Sequence, residues 1–168
     1  MKKIITKEKA LDRLESLCSR SEQCESDLIR KLIGWGINAS DRVQIIESLK
    51  ENRFLDETRF AAGYSNDKAR FSAWGPHRIR LELIKKRIPS GIISECLRNI
   101  DPSIWKEGLL KSALSKSKNL DLLGEEGRAN ANKLYRYLVY RGFPSSSATK
   151  AVNYIRKRQQ KESDESVD

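Results

Sequence analysis

The chain of 168 residues carries 33 Lys and Arg against 23 Asp and Glu, a net charge of +10, and 38% of its residues are hydrophobic. This size suits one ordinary domain or a short array of small modules. A membrane span is excluded because no stretch approaches roughly 18 apolar residues, and the start of the chain becomes polar too quickly for a signal peptide. We therefore expect a soluble cytoplasmic protein whose partners are phosphate backbones or acidic protein surfaces.

The first predicted repeat covers residues 8–55 and follows a short lead, residues 1–7. Residues 8–19 form its leading helix. Gly36 suits a left-handed turn between the second and third helices, and Asn38 suits the cap of the third. The apolar positions that define these two helices and the turn are Leu28, Leu32, Ile37, Ile46 and Leu49.

The second predicted repeat covers residues 56–100, and its leading helix covers residues 57–71. Asp56 is expected to cap that helix, because its carboxylate can accept hydrogen bonds from the free amides of the first turn. Arg87 replaces the glycine of the turn, so this turn closes differently or accepts strain. Pro89 suits the first position of the third helix. The corresponding apolar positions are Ile79, Leu83, Ile88, Leu97 and Ile100.

The third predicted repeat covers residues 101–159. Asp101 and the proline after it open a leading helix over residues 103–117. Gly142 again suits a left-handed turn, and Pro144 suits the first position of the last helix. The corresponding apolar positions are Leu134, Leu138, Phe143, Val152 and Ile155.

These three copies predict an all-α fold, a tandem array of three three-helix repeats forming an elongated, curved solenoid. No alternating run of β-branched residues indicates a strand. Residues 160–168 follow the array as an acidic tail, which we predict to be disordered. Residues 162–168 hold four acids and no base, so residues 1–161 carry 33 basic against 19 acidic side chains, a net charge of +14.

A first basic run covers residues 68–87 and carries a net charge of +6. If a helix begins near Pro76, Ile79 and Leu83 face inward, and the cations occupy the flanks and the outer face, where they can meet carboxylates or phosphates. A merely solubilising surface is the alternative. The candidate binding residues here are Arg70, Arg78, Arg80, Lys85 and Lys86, together with Arg59 in the preceding helix.

A second basic run covers residues 133–161, with a net charge of +8 and no acid. Tyrosines are interleaved with its cations, a combination that stacks on and neutralises single-stranded nucleic acid; ordinary core packing is the alternative for each ring. Because Leu134 and Leu138 define the buried stripe, Tyr137 is expected at a solvent-exposed position. The candidate binding residues here are Lys133, Arg136, Tyr137, Arg141, Arg156, Lys157 and Arg158.

Nothing in the sequence indicates catalysis, a metal site or a cofactor. The chain has a single histidine, no HExxH motif, no glycine-rich phosphate loop and no obvious cluster of carboxylates. The spacings of Cys18, Cys24 and Cys96 match neither a disulfide framework nor a zinc site, so we expect small buried hydrophobic side chains. The sequence predicts a protein that is not an enzyme.

Two segments of the second repeat resemble the central signature of the RecX regulatory family. They are LDETRFA, starting at Leu55, and GPHRIRLEL, starting at Gly75, with Arg70 between them. The resemblance extends over roughly residues 8–158. Glu57 stands where many members have an aspartate, and Arg87 stands where a glycine is usual.

The resemblance implies a cytoplasmic protein of DNA recombination, DNA repair and the SOS response. Such a protein binds the RecA filament on single-stranded DNA and modulates, most often inhibits, filament extension, ATP hydrolysis and strand exchange. It implies no catalytic residues, and we expect a monomer that binds free single-stranded DNA weakly. The competing interpretation is a basic helical-repeat protein that binds nucleic acid directly, without a recombinase.

Overall fold

The computed structural model describes residues 5–165 of the chain. This part contains nine α-helices and no strand, so the predicted all-α helical-repeat fold is confirmed. No helix within it is long and apolar enough to cross a membrane. The helices form three successive triplets: α1 (Lys7–Arg20), α2 (Glu25–Gly34), α3 (Ala39–Glu51), α4 (Glu57–Arg70), α5 (Pro76–Lys85), α6 (Ser90–Arg98), α7 (Pro102–Ser117), α8 (Gly127–Tyr140) and α9 (Ser145–Glu165).

The turn between the second and third helices of each triplet repeats one hydrogen bond. The amide of the hydrophobic residue after the turn donates to the carbonyl of a leucine five residues earlier, the longer bond of a Schellman motif. The pairs are Ile37 to Leu32 (3.1 Å), Ile88 to Leu83 (3.1 Å) and Phe143 to Leu138 (3.2 Å). All three leucines are completely buried, so they anchor the three copies in the same way.

The residue before each of these amides has a positive φ. Gly36 and Gly142 have φ values of 79° and 96°, which cost glycine nothing because it has no Cβ. Arg87 takes the same left-handed conformation, with φ of 62°. The middle turn therefore closes as the other two do and accepts the strain of a side chain there.

Polar side chains cap helices at the predicted places. The side-chain oxygens of Asn38, Asp56 and Asp101 accept hydrogen bonds from the amides of Asp41 (2.9 Å), Arg59 (2.9 Å) and Ser103 (2.8 Å), respectively. Each bond satisfies an amide that has no partner within its helix. These three cap predictions are confirmed.

The two prolines before the third helices stand one position earlier than predicted. Helices α6 and α9 begin at Ser90 and Ser145, so Pro89 and Pro144 precede the first helical residue. The carbonyl of Pro89 accepts from Ile93 (3.1 Å), and that of Pro144 accepts from Ala148 in the same way. The prolines therefore occupy the cap position, where a fixed φ still favours entry into the helix.

The described residues up to Tyr64, together with Leu83–Cys96, form a first compact unit. In it α3 packs against both α1 and α2. The largest fully buried side chains of its core are Leu14, Leu28, Leu32, Ile45 and Leu49, none of which is more than 1% exposed. Burying each such side chain contributes about 1.5–3 kcal/mol.

Ser65–Glu82 and the described residues from Leu97 onward form a second compact unit. In it α7, α8 and α9 pack against one another around Ala113, Leu122, Leu134, Leu138 and Ile155. Gly108 of α7 lies against the end of α4, where a Cβ atom would be 3.6 Å from the Cα atom of Ala73. Small residues therefore allow α7 to approach this segment closely.

Helix α9 continues through the segment predicted to be a disordered tail. It ends at Glu165, and residues 166–168 lie outside the described residues. Side-chain contacts at i and i+4 support the extension, since Arg158 pairs with Glu162 (2.8 Å) and Gln160 donates to Asp164 (3.0 Å). The disorder prediction was wrong for residues 160–165, because it considered the acids without the bases and amides one turn earlier.

Candidate functional site

Lys86, a predicted binding residue, instead makes its contacts with other residues of the first unit. Its ammonium group lies 2.7 Å from a carboxylate oxygen of Asp27, and its backbone carbonyl accepts a 2.7 Å hydrogen bond from Ser26. The ammonium also lies 5.6 and 5.9 Å from the ring centroids of Phe60 and Tyr64. These contacts join α2 to the chain just after α5, so Lys86 stabilises the fold.

Burial and pairing act in opposite directions on the charges of this pair. Burial raises the pKa of Asp27, but the hydrogen bonds from Lys86 and Cys24, with the positive charges of Lys86 and Arg30, outweigh burial, so the pKa lies below its ordinary value. Burial lowers the pKa of Lys86, and the hydrogen bond to Asp27 outweighs it in turn, so that pKa lies above its ordinary value. Both groups are therefore charged at neutral pH.

Arg59 is also engaged inside the first unit. Its guanidinium donates to Glu22 (2.9 Å) and to the backbone carbonyl of Arg53 (3.0 Å). These bonds fix the connection between α3 and α4. Lys85 is exposed instead, and it lines an open cleft of about 340 Å³ that also contains carboxylates, including that of Glu57.

Arg141 holds a turn of the second unit. Its guanidinium donates to the backbone carbonyls of Ser72 and Ala73 (3.2 Å to Ala73). Ala73 has a φ of 48°, a conformation that is unfavourable for alanine, and the hydrogen bonds from Arg141 stabilise the turn that requires it. We assign Arg141 a structural role in place of the predicted binding role.

Tyr137 was predicted to be the exposed tyrosine of the second basic run, but other tyrosines of that run are the exposed ones. Tyr137 is half-buried against the core of the second unit, and the ammonium of Lys116 lies 5.3 Å from its ring centroid. Tyr140 and Tyr154 are 72% and 51% exposed. A ring at position 137 lies beside the Leu134 and Leu138 stripe, whereas position 140 lies on the far side of the helix.

Tyr140 belongs to a row of alternating cations and rings, which we call the cation–aromatic stack: Lys68, Trp74, Arg78 and Tyr140. The guanidinium carbon of Arg78 lies 4.1 Å from the ring centroid of Trp74 and 5.1 Å from that of Tyr140. The ammonium of Lys68 lies 4.9 Å from the Trp74 centroid. The predicted binding residues included Arg78 but neither ring: Trp74 stands only four residues before it, whereas Tyr140 comes from a distant part of the chain.

The remaining predicted binding residues differ in whether they have hydrogen-bond or ion-pair partners within the protein. Arg70 donates to Asn66 (2.8 Å), Lys133 donates to Asn130 (3.3 Å) and Arg158 pairs with Glu162 (2.8 Å). Arg80 is half-buried and has a partner of its own. Arg136, Arg156 and Lys157 are exposed, and the part of the chain that the structure describes contains no ion-pair partner for these three.

Two outward helical faces of the second unit carry exposed cations. The α8 basic face consists of Lys133, Arg136 and Tyr140, at intervals of three and four residues. The α9 basic face consists of Lys150, Tyr154, Lys157 and Lys161, whose intervals of four, three and four place them opposite the buried Ala148, Val152 and Ile155. The predicted binding residues do not include Lys150, Tyr154, Tyr140 or Lys161, although their helical spacing is visible in the sequence.

The geometry offers binding surfaces, and the described residues suggest no metal centre. Within residues 5–165, no group of three or more His, Cys, Asp or Glu side chains is placed to hold a metal ion. Cys18, Cys24 and Cys96 are free thiols, and burial raises the pKa of each.

Comparison with known proteins gives a consistent result. The family model for the second three-helix domain of RecX matches residues 56–97. The regulatory protein RecX of Yersinia enterocolitica is 30% identical, over 79% of this chain and 89% of the relative. That of Clostridium botulinum strain Alaska E43 is 32% identical over 74% of this chain, but the match spans only 58% of the relative.

Solved structures agree with the fold. A crystal structure of regulatory protein RecX superposes with a TM-score of 0.78 at 25% identity, covering 88% of this chain and 73% of that one. The crystal structure of RecX from Lactobacillus salivarius gives a TM-score of 0.74 at 20% identity, covering 88% and 95%. The extent of these matches, together with the Yersinia relative, shows that the chain belongs to the RecX family of regulatory proteins.

Proposed function

We propose that this protein binds a RecA filament on single-stranded DNA and inhibits its extension, ATP hydrolysis and strand exchange. The proposal combines the family membership with the exposed cationic faces of the second unit. The protein acts in the cytoplasm as a monomer, in recombination, repair and the SOS response, without chemistry of its own.

The observation that carries the proposal is the α9 basic face. Lys150, Lys157 and Lys161 are exposed on one side of a single helix, and none of them has an ion-pair partner within residues 5–165. A filament on DNA offers matching groups, because it presents phosphates and protein carboxylates at regular intervals. A preformed helix can bind such a periodic surface without the entropy cost of ordering a flexible segment.

The side chains that the fold already uses narrow the candidates. Arg59, Lys86 and Arg141 hold their own units together, so these three are removed from the binding surface. The remaining candidates on both basic faces make individually weak, salt-screened contacts. Several such contacts made at once by one folded chain give useful affinity through their high effective concentration.

The second candidate function is direct binding to nucleic acid without a recombinase. The same α9 basic face supports it, because phosphates alone attract exposed lysines. The two functions differ in whether the recombinase adds affinity. Only regulation of a filament requires a surface that recognises protein as well as DNA.

Co-sedimentation at fixed salt distinguishes the two. The protein is titrated onto RecA filaments assembled on circular single-stranded DNA with a non-hydrolysable ATP analogue, and onto the same DNA alone. We expect at least about tenfold tighter binding to the filament, which corresponds to about 1.4 kcal/mol. Equal or weaker binding to the filament would favour direct nucleic-acid binding.

A further inference from the structure

The cation–aromatic stack ends in an exposed ring. Tyr140 is the last residue of α8 and is 72% exposed, while one face of its ring is directed at the guanidinium of Arg78, 5.1 Å from the ring centroid. The same guanidinium carbon lies 4.1 Å from the ring centroid of Trp74. One exposed aromatic side chain is ordinary on a protein surface, but a ring at the end of an ordered stack is a planar platform.

The backbone holds this platform in place. The amide of Gly75 donates to the carbonyl of Arg141 (2.7 Å), and the amide of His77 donates to the carbonyl of Gly142 (3.0 Å). These bonds lock the first turn of α5 to the turn that follows α8. Arg78 and Tyr140 lie immediately beside the two ends of this contact, so their relative position is set by the backbone.

We propose that the outer face of Tyr140 is a stacking site for an unpaired nucleobase. Every base has a π-face that stacks on an aromatic ring, and such stacking is largely independent of sequence. The Arg78 guanidinium beside this ring carries N–H donors that suit a phosphate. The site therefore recognises a base and an adjoining phosphate together.

The α8 basic face extends the site along the helix. Arg136 and Lys133 lie four and seven residues before Tyr140, one and two turns away. A strand whose base stacks on Tyr140 can place its next phosphates beside these cations. The proposed function supplies the source of the strand, single-stranded DNA, and the inference rests on it for that point alone.

The test uses the full chain and two labelled probes, a fifteen-nucleotide oligothymidylate and an abasic oligomer with the same number of phosphates. The wild type should prefer the thymidylate, and Tyr140→Leu should weaken thymidylate binding about tenfold, within the range for loss of one stacked base. Tyr140→Phe keeps the ring and should bind as the wild type does. Neither variant should change binding of the abasic oligomer.

Two results would overturn the site: a wild type that binds both probes equally, or a Tyr140→Leu variant that keeps the wild-type preference for bases. Phe71→Leu, which removes a ring that is 79% exposed and belongs to neither basic face, is the matched control and should keep that preference. No recombinase is present, so failure here leaves filament binding untouched, and failure of filament binding leaves this result interpretable.

Discussion

The backbones of Gly75 and Gly142 approach so closely that a Cβ atom on Gly75 would lie less than 3.0 Å from the carbonyl carbon of Gly142. Gly142 also has a φ of 96°, which side chains rarely adopt. The contact joins the start of α5 to the turn between α8 and α9 in the second unit. It therefore places the two residues on which the cation–aromatic stack depends, Arg78 and Tyr140.

Substituting Gly75 with alanine should destabilise the protein by about 2–3 kcal/mol, because the new methyl group meets backbone atoms that cannot rotate away. The measurement is the free energy of unfolding from urea denaturation. Gly63→Ala is the control: this glycine lies inside α4 with nothing within 4 Å of its Cβ position. It should stabilise the helix by about 0.5–1 kcal/mol. A Gly75→Ala variant as stable as the wild type would refute the close contact.

Breaking the pair of Asp27 and Lys86 should cost stability in a pH-dependent way. Their side chains are 27% and 26% exposed, so we expect Asp27→Asn to lose about 1–2 kcal/mol near neutral pH, between the values for surface and buried pairs. The pKa of Asp27 is lowered in the folded state, so its stabilising effect is complete above the ordinary value of 3.8 and disappears as the pH falls through the folded value.

Urea unfolding of Asp27→Asn and the wild type at several pH values measures this effect. The difference between them should narrow as the pH drops below 3.8. For comparison, Arg158→Met removes an exposed pair at i and i+4 and should cost no more than about 0.5 kcal/mol. A gap between Asp27→Asn and the wild type that is independent of pH would contradict the role of the charge.

Gln159 should control the order of the segment between α7 and α8. Its amide donates to the carbonyl of Leu120 (2.8 Å), and its carbonyl accepts from the amide of Leu122 (2.9 Å). Gln159→Ala leaves both backbone groups without their partner, at a cost of about 1–2 kcal/mol. Hydrogen exchange at Leu122 should accelerate. Gln160→Ala removes only a contact to Asp164 and should leave the exchange rate at Leu122 unchanged. Equal exchange rates in the two variants would argue against the two hydrogen bonds of Gln159 as the cause of this order.

Reversing the charge of the α9 basic face should weaken binding to the filament. The triple variant Lys150→Glu, Lys157→Glu, Lys161→Glu should lose at least about tenfold in affinity, and the loss should shrink as salt is raised. The control reverses three exposed lysines elsewhere, Lys9, Lys31 and Lys111, with the same change in net charge. If both triple variants lose equally, net charge matters and the α9 basic face does not.

The repeat pattern could be predicted from the sequence because it rests on local spacing. Leu32, Leu83 and Leu138 mark three helices, and the residue four positions after each leucine takes a positive φ even where it is Arg87. The hydrogen bond that closes each turn depends only on neighbours in the chain. Local geometry of this kind is visible in sequence.

The roles of the cations could not be predicted in the same way. Lys86 looked like part of a basic surface, but its partner Asp27 lies 59 residues earlier in the chain. Arg141 likewise donates to Ala73, 68 residues away. Long flexible side chains reach whatever tertiary neighbours the fold supplies, so a count of charges overestimates the binding surface.

If the protein regulates a recombinase filament, it should change the rate at which that filament hydrolyses ATP. The rate of hydrolysis by RecA on single-stranded DNA is measured against concentration of this protein, beside a binding titration on the same DNA without RecA at the same salt. We predict inhibition well below the concentration that coats free DNA. Inhibition only where the DNA is already saturated would contradict filament regulation and favour direct binding to nucleic acid.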